Sequence, residues 1–366
     1  MPNFVTTLNL GVSLRLILMG TGPFAVPSFD ALKQAGHEIV AVVTRPTVLG
    51  AAKKAPPPSP VRVWACEQSL PVFDPLSIND SETIQWLESL QSDLMVVCDY
   101  GQILSQQALL ATKLGGINLH GSLLPRHRGA APVQWSILSG DSQAGISIIH
   151  MTPTLDGGPV LHQLATEIQP SETSEELELR LSHIGIESTL ASIRDLESKR
   201  SISECTQLGI IQDKLKMTKA PRLKKEDGQI NPQYSARLLD RLVRGLQPWP
   251  GTFMNVLLPD GKSFRMIVSK ARVLMLGTNV NVGTPGDLLL GTILQRLLSS
   301  IDSGPKDNAV LGLVTTDGIL ALETVQPAGK RSMDASEFAR GYSRYEMLQI
   351  ETAPGVHRIL SQMQSS

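Results

Sequence analysis

The sequence is poor in cysteine and has no long apolar run. Its three cysteines, Cys66, Cys98 and Cys205, are widely spaced and form no CxxC pair, which argues against a disulfide framework and a zinc site. The longest apolar runs, near 15–20 and 93–98, are much shorter than the roughly 20 residues that span a bilayer. Residues 1–13 lack the basic and apolar regions of a signal peptide. We therefore expect a cytoplasmic protein without membrane spans or metal ligands, preceded by a flexible extension.

Length and charge indicate two domains with different surroundings. The 366 residues are 42% hydrophobic and 18% charged, enough to bury a large core. The net charge of −1 is the sum of an acidic first part and a basic second part. Residues 1–213 carry 13 Lys and Arg against 21 Asp and Glu, whereas residues 214–366 carry 20 against 13. The basic part, residues 214–366, is expected to bind a polyanion.

Short apolar runs alternate with amphipathic stretches in the first half of the chain, which predicts an α/β domain with a mainly parallel sheet. The apolar spacing of 174–199 predicts a long helix that closes this domain. The predicted strands lie near 14–20, 37–44, 93–98 and 116–120.

The second half has a different pattern. A helix is predicted over 235–245, and the short β-like runs after it predict a small β-barrel. Residues 277–308, rich in Gly, Ser, Asp and Asn around one short helix, are interpreted as a loop insertion. The predicted divisions are an extension at 1–13, a catalytic domain at 14–200, a linker at 201–222, a barrel domain at 223–345 and a tail at 346–366.

The segment 20–25, GTGPFA, follows a predicted strand and precedes a predicted helix, as in a dinucleotide-binding turn. Against this, Pro23 removes a backbone donor, and the segment 42–46, VVTRP, offers no acid to a ribose hydroxyl. A structural turn is the favoured interpretation, with an NADP-dependent dehydrogenase as an alternative.

Asn118 and His120 are the strongest catalytic candidates. They lie two residues apart on a predicted strand, so both side chains leave the same face at the carboxyl end of the sheet. Asp156 follows the next apparent strand in a Gly-rich loop and could orient His120. An Asn, His and Asp set without a Ser or Cys nucleophile favours acyl transfer to a nucleophile that the substrate supplies. The simpler alternative is that Asn118 caps a turn and His120 is a buried structural histidine.

The string INLHGSLLPRHRGAAP at 117–132, with LDGG at 155–158, resembles the signature of the 10-formyltetrahydrofolate-dependent formyltransferases. The resemblance extends over residues 14–199 and is supported by GTGPFAVPSF, VVCDYGQIL and PSPV. It implies a Rossmann-like fold, catalytic roles for Asn118, His120 and Asp156, and 10-formyltetrahydrofolate as the formyl donor. The residues that it implies for the folate pocket are Ser122, Leu123, Leu124, Pro125, Tyr100, Gly101, Gln102, Ile103 and Leu104.

The second half resembles the C-terminal domain of the methionyl-tRNA formyltransferase family in KKEDGQIN, LQPWPGTF and LETVQPAGKRSM, at 224–231, 246–253 and 322–333. The resemblance implies a small OB-like barrel and an enzyme, expected to be a monomer, that formylates the α-amino group of methionyl initiator tRNA for translation initiation. Sugar-nucleotide N-formyltransferases share a related tail and stay an alternative. A third possibility is a tRNA-binding protein with a degenerate site.

Three departures from the family pattern concern the site. The loop at 45–60 has Val48 and Ala52 where the family has arginines, LDGGP replaces LDTGD, and GTGPF replaces GTPDF. The basic residues that we expect to face tRNA are Arg45, Lys53, Lys54, Arg126, Arg128, Arg237, Arg241 and Arg244.

Overall fold

A computed structural model of the protein describes residues 13–46, 57–274, 282–300, 309–352, 358–359 and 361. These residues fold into two compact units. The first holds the described residues up to 133 together with 142–168 and 176–222, and the second holds 134–141, 169–175 and the described residues from 223 onward. The expected extension, apart from Ser13, and Lys53, Lys54, Val48 and Ala52 of the 45–60 loop lie outside the described residues.

The strands up to residue 222 are β1 Arg15–Gly20, β2 Glu38–Val43, β3 Val72–Phe73, β4 Leu94–Cys98, β5 Gly116–His120, β6 Arg128–Gly129, β7 Gln143–His150, β8 Val160–Glu167 and β9 Lys219–Ala220. The first unit is built on a seven-stranded sheet with the order β3-β2-β1-β4-β5-β7-β8. The first five strands in that order are parallel, and β7 and β8 are antiparallel to their neighbours. This confirms the mainly parallel α/β sheet.

Helices connect these strands and shield the central ones from water. All of β4 is buried, as is typical of a parallel strand covered on both faces. Of the helices in the described ranges, none has both the length and the apolar content that a membrane span needs. The helices up to residue 222 are α1 Val26–Gln34, α2 Pro60–Glu67, α3 Ser81–Ser89, α4 Gln106–Leu110, α5 Pro132–Ser139, α6 Ser174–Leu196 and α7 Ile202–Thr206.

Residues 201–222 are placed differently from the linker that the sequence suggests. They cluster with the first unit, where they form α7 and β9. Strand β9 pairs in parallel with β6, so that Arg128 lies opposite Lys219 and Gly129 opposite Ala220. These elements are short and the rest of the segment binds loops of the first unit, so the sequence of 201–222 carries little periodicity.

The elements after residue 222 are α8 Ala236–Gly245, β10 Thr252–Leu257, β11 Ser263–Leu274, β12 Asp287–Leu290, α9 Gly291–Ser300, β13 Leu311–Val314, β14 Ile319–Pro327, β15 Met333–Asp334, α10 Ala335–Gly341 and β16 Met347–Ile350. The second unit is a closed antiparallel barrel of six strands in the order β11-β10-β16-β12-β13-β14, since β14 also pairs with β11. This confirms the predicted barrel. Along β10, buried and half-buried residues alternate, as one core-facing side requires.

Two segments interpreted as peripheral belong to this barrel. Within 277–308, interpreted as a loop insertion, β12 is buried and pairs with both β16 and β13. Strand β16 comes from the predicted tail and pairs with β10 and β12. Beyond it, Arg358 donates from Nε to Asp227 Oδ1 over 2.7 Å. Strands β12 and β16 have only four residues each, which is too few for a periodic pattern to identify them among flanking polar residues.

Candidate active site

The proposed catalytic residues lie at the carboxyl edge of the parallel sheet. In the strand register Gly20 of β1 is opposite Cys98 of β4, and Val97 of β4 is opposite Asn118 of β5. The loops that leave these three strands therefore start side by side. Open α/β sheets keep their ligand sites at this edge.

His120 ends β5 and is buried, at 5% exposure. Its Nε2 lies 3.0 Å from the carbonyl oxygen of His127. Because a carbonyl only accepts hydrogen bonds, Nε2 carries the hydrogen in this contact. The other ring nitrogen, Nδ1, lies 3.7 Å from Oδ1 of Asp156. This distance is too long for a direct hydrogen bond, so Nδ1 is the ring nitrogen left to take part in proton transfer.

Asp156 lies in the loop between β7 and β8, in the left-handed backbone region with φ +49°. Its Oδ2 accepts a hydrogen bond from the Gly129 amide over 2.8 Å, and its backbone oxygen accepts one from Gln212 Nε2 over 2.8 Å. The carboxylate and the backbone are thus held separately, with Oδ1 left toward His120. Sequence reasoning missed Gln212, because it lies in the supposed linker and no motif marks it.

Asn118 precedes His120 by two residues on β5 and is half-buried. Strand alternation puts its side chain on the same face as the imidazole. The structure therefore brings His120 and Asp156 together and places Asn118 on the same face of β5. Their catalytic roles stay predictions.

The turn after His120 is fixed by buried hydroxyl groups. Ser122 Oγ donates to the Arg126 carbonyl over 2.7 Å, and Ser147 Oγ donates to the Ser122 carbonyl over 2.7 Å while accepting from the Leu124 amide over 3.1 Å. Gln163 Nε2 donates to the Leu124 carbonyl and to Ser147 Oγ. Since both serines donate their hydrogens to backbone carbonyls, neither hydroxyl is activated by His120 as a nucleophile would be.

The second predicted folate segment, 100–104, follows β4. Tyr100 is buried in the core, and this burial raises its pKa to about 12, so the phenol stays protonated. Its carbonyl accepts from Thr21 Oγ1 over 3.3 Å. Gln102 Oε1 accepts from the Ile78 amide over 2.8 Å, and Ile103 is 61% exposed. In this segment Gly101 and Ile103 are exposed, Gln102 is half-buried and Leu104 is buried.

The glycine turn at 20–25 is poorly suited to a dinucleotide. The Asp99 carboxylate occupies the space that a side chain on Gly22 would need. A phosphate brought to this turn would meet that carboxylate and lack the backbone donor that Pro23 removes. In the part of the chain that is described, no group of three or more His, Cys, Asp or Glu is placed to hold a metal ion.

The basic residues expected to face tRNA differ in their surroundings. Arg45, Arg126 and Arg237 are exposed. Arg128 is half-buried and donates from Nε and Nη2 to Gln212 Oε1 over 3.1 and 2.7 Å. The guanidinium of Arg241 packs against Gly140, and Arg244 binds Asp240 over 2.9 Å and the Glu172 carbonyl over 3.0 Å. Arg128, Arg241 and Arg244 therefore already have internal contacts, and all these tRNA assignments stay predictions.

Comparisons with known proteins agree with this arrangement. Residues 14–192 match the Formyl transferase family, and residues 222–343 match the family described as Formyl transferase, C-terminal domain. The chain is 45% identical over 334 residues, 90% of its own length and 94% of the relative's, to a methionyl-tRNA formyltransferase of Rhodopirellula baltica.

Solved structures show the same fold at low identity. An N-formyltransferase of Helicobacter canadensis in complex with folinic acid and dTDP-3-aminofucose is 15% identical, with a TM-score of 0.56 over 84% of this chain and 99% of that one. The sugar 3N-formyltransferase WlaRD is 13% identical, with a TM-score of 0.56 over 88% and 100%. Both family matches and the extent of the 45% identity lead to one assignment. The chain belongs to the methionyl-tRNA formyltransferase family.

Proposed function

We propose that this protein transfers the formyl group of 10-formyltetrahydrofolate to the α-amino group of methionyl initiator tRNA. The observation that carries the proposal is the pair of His120 Nδ1 and Asp156 Oδ1, 3.7 Å apart at the end of β5, the strand that also carries Asn118. The acceptor is inferred from the 45% identity to a methionyl-tRNA formyltransferase across nearly the whole chain.

The chemistry follows from the groups at this edge. The acceptor amine forms a bond to the formyl carbon and gives up a proton, while the formyl oxygen gains negative charge. The bond between the formyl carbon and N10 of the folate then breaks, and N10 takes up a proton. Donation from the Asn118 amide and from a protonated His120 stabilises that oxygen, and one such donor is typically worth roughly 3 to 4 kcal/mol of barrier. Asp156, whose Oδ1 lies 3.7 Å from Nδ1, orients His120 and helps to take the amine proton through a water molecule.

Purified protein tests the proposal directly. With 10-formyltetrahydrofolate as donor, it should formylate methionyl initiator tRNA and leave dTDP-linked amino sugars unchanged. Transfer to the amino sugar and none to the tRNA would replace the proposal with the sugar-nucleotide function. Binding of NADPH, detected by quenched cofactor fluorescence, would support the dehydrogenase alternative. The monomeric, cytoplasmic form that we propose is tested by sedimentation and by fractionation of cells.

A further inference from the structure

The segment 210–220, hereafter the strap, runs between the two loops that hold the proposed catalytic pair. Toward the loop of Asp156, Ile210 exchanges two backbone hydrogen bonds with Val160, over 2.9 and 2.8 Å. Toward the loop after His120, the Arg128 amide donates to the Thr218 carbonyl over 2.9 Å, and the Ala131 amide donates to the Ala220 carbonyl over 3.2 Å. The strap therefore fixes both loops from one stretch of chain.

Gln212 is the strap side chain that reaches both loops. Its Nε2 donates to the carbonyl oxygens of Asp156 and Gly158 over 2.8 and 2.7 Å. Its Oε1 accepts hydrogen bonds from Nε and Nη2 of Arg128, the residue directly before Gly129 in the chain. With 7% exposure, the amide is shielded from water that could replace these bonds.

These hydrogen bonds bear on the orientation of the Asp156 carboxylate. Asp156 has φ +49°, a conformation that non-glycine residues adopt only when their surroundings hold them there. Gln212 holds the backbone of Asp156, and the Gly129 amide holds Oδ2 over 2.8 Å. Oδ1 is left as the oxygen facing His120. If the backbone of Asp156 rotates away from the left-handed region, the carboxylate loses its position relative to Nδ1.

We propose that Gln212 is a positioning residue that keeps Asp156 aligned with His120 by binding the backbone of the Asp156 loop. This inference rests on the proposed formyl transfer and adds to it a residue that does not touch the substrate. It assigns the strap a part in the active site, although the strap directly precedes the second unit in sequence.

The test compares Gln212→Leu with Gln207→Leu, a matched change at an exposed glutamine that caps α7. Gln212→Leu should lower kcat for formyl transfer by about 10- to 100-fold, the size expected when catalytic groups are misplaced by around 1 Å. The KM for the folate donor should change less than about twofold, and Gln207→Leu should leave both constants near their original values. Gln212→Glu keeps an acceptor for Arg128 but lacks both donors, so it should show the same loss.

A double-mutant cycle separates positioning from general damage. In an Asp156→Asn background, Gln212→Leu should lower single-turnover transfer by less than about twofold, because the group that Gln212 positions has been disabled. An equal loss in both backgrounds, or normal turnover of Gln212→Glu, would overturn the proposal.

Hydrogen exchange gives a readout independent of activity. The Gly129 amide, whose acceptor is Asp156 Oδ2, should exchange about tenfold faster or more in Gln212→Leu than in Gln207→Leu. Unchanged exchange would overturn the positioning role whatever the reaction is. If the unmodified protein formylates no methionyl-tRNA yet the exchange rates differ as expected, the proposed function fails and the positioning role stands.

Discussion

An arginine of the first unit and an arginine of the barrel have different surroundings. In the first unit, Arg128 is half-buried and donates two hydrogen bonds to Gln212, beside the loop of Asp156. In the barrel, Arg265 is exposed and stacks over the Phe253 ring, 3.5 Å from its centroid. Both residues contribute the same charge to the sequence. A basic residue near a signature motif can therefore belong to the internal hydrogen-bond network, whereas one outside any motif can lie exposed on the surface.

The units also differ in how much a small change should matter. Around His120 and Asp156, several buried hydrogen bonds fix single atoms. On the barrel surface, charges such as Lys262 and Lys270 make exposed ion pairs with Asp260 and Glu323, and such pairs are typically worth less than about 1 kcal/mol. We therefore expect large effects from substitutions at the sheet edge and small, graded effects on the barrel.

The largest effect is expected at the proposed catalytic residues. Asn118→Ala, His120→Ala and Asp156→Asn should each lower turnover by about 100-fold or more, because each removes a group that stabilises or deprotonates the reacting atoms. Asn is used at 156 because it tolerates the left-handed backbone at φ +49°. Single-turnover formylation measures the loss, and double changes should be far from additive. Near-normal turnover of His120→Ala would remove the catalytic assignment.

A pair of glycine substitutions tests the difference in rigidity. A Cβ on Gly158 would collide with the His150 carbonyl oxygen, a backbone atom that cannot rotate away, whereas a Cβ on Gly341 would have no atom within 4 Å. Gly158→Ala should lower the free energy of unfolding by about 1 to 3 kcal/mol. Gly341→Ala should leave it unchanged or raise it by up to about 1 kcal/mol. Urea denaturation compares them, and equal losses would contradict the expected difference.

Neighbouring basic residues of the barrel test the role of exposed charge. Lys330 is exposed, with Nζ 5.6 Å from the centroid of the Tyr342 ring, whereas Arg331 binds both carboxylate oxygens of Glu337 over 2.7 and 2.9 Å. If Lys330 contacts a phosphate, Lys330→Ala should reduce the slope of log tRNA affinity against log salt by roughly 0.7 to 0.9. Arg331→Ala should reduce it less, because Glu337 already offsets that charge.

Filter binding across a salt series makes this measurement on the full chain. Truncation is less suitable, because a chain ending at Asp213 would lose Thr218 and Ala220, which bind the loop after His120. It would also separate 134–141 and 169–175 from the rest of their unit. Equal slopes for both single variants and the unmodified protein would remove this part of the barrel from tRNA binding.

The smallest effect concerns pH. Burial lowers the pKa of His150, and its Nε2 has no hydrogen-bond partner in the part of the chain that is described. An unfolded chain takes up this proton at about pH 6.5, whereas the folded protein takes it up only at lower pH. The stability that neutral His150 contributes is therefore fully present above the unfolded pKa of about 6.5 and is lost as pH falls from there through the lower pKa of the folded protein. His150→Leu should flatten the decline in unfolding free energy between about pH 7 and 5.

His183→Leu, at an exposed histidine, is the control for that titration. A residual slope is expected in His150→Leu, because burial also lowers the pKa of His37. A slope identical to that of the unmodified protein would mean that His150 takes up its proton equally well in the folded and unfolded states.

Much of the first unit could be predicted from sequence, because its information is local. The predicted strands at 14–20, 37–44, 93–98 and 116–120 correspond to β1, β2, β4 and β5. Strand alternation then put Asn118 and His120 on one face. The strands of the barrel at 287–290 and 347–350 were missed, since four residues carry too little periodicity and their polar neighbours resemble loops.

The sequence by itself determined the sheet, the edge at which the site lies, the family and the identity of the proposed Asn, His and Asp. Tertiary structure alone decided that Oδ1 of Asp156 faces Nδ1 of His120, and that Gln212, 56 residues further along the chain, holds the Asp156 carbonyl. Periodicity reports which side chains enter a core, because burial repeats with each strand or helix. A single side chain that binds the backbone carbonyls of a distant loop produces no periodic pattern in the sequence. Its role therefore becomes visible only when the folded chain brings its partners within hydrogen-bonding distance.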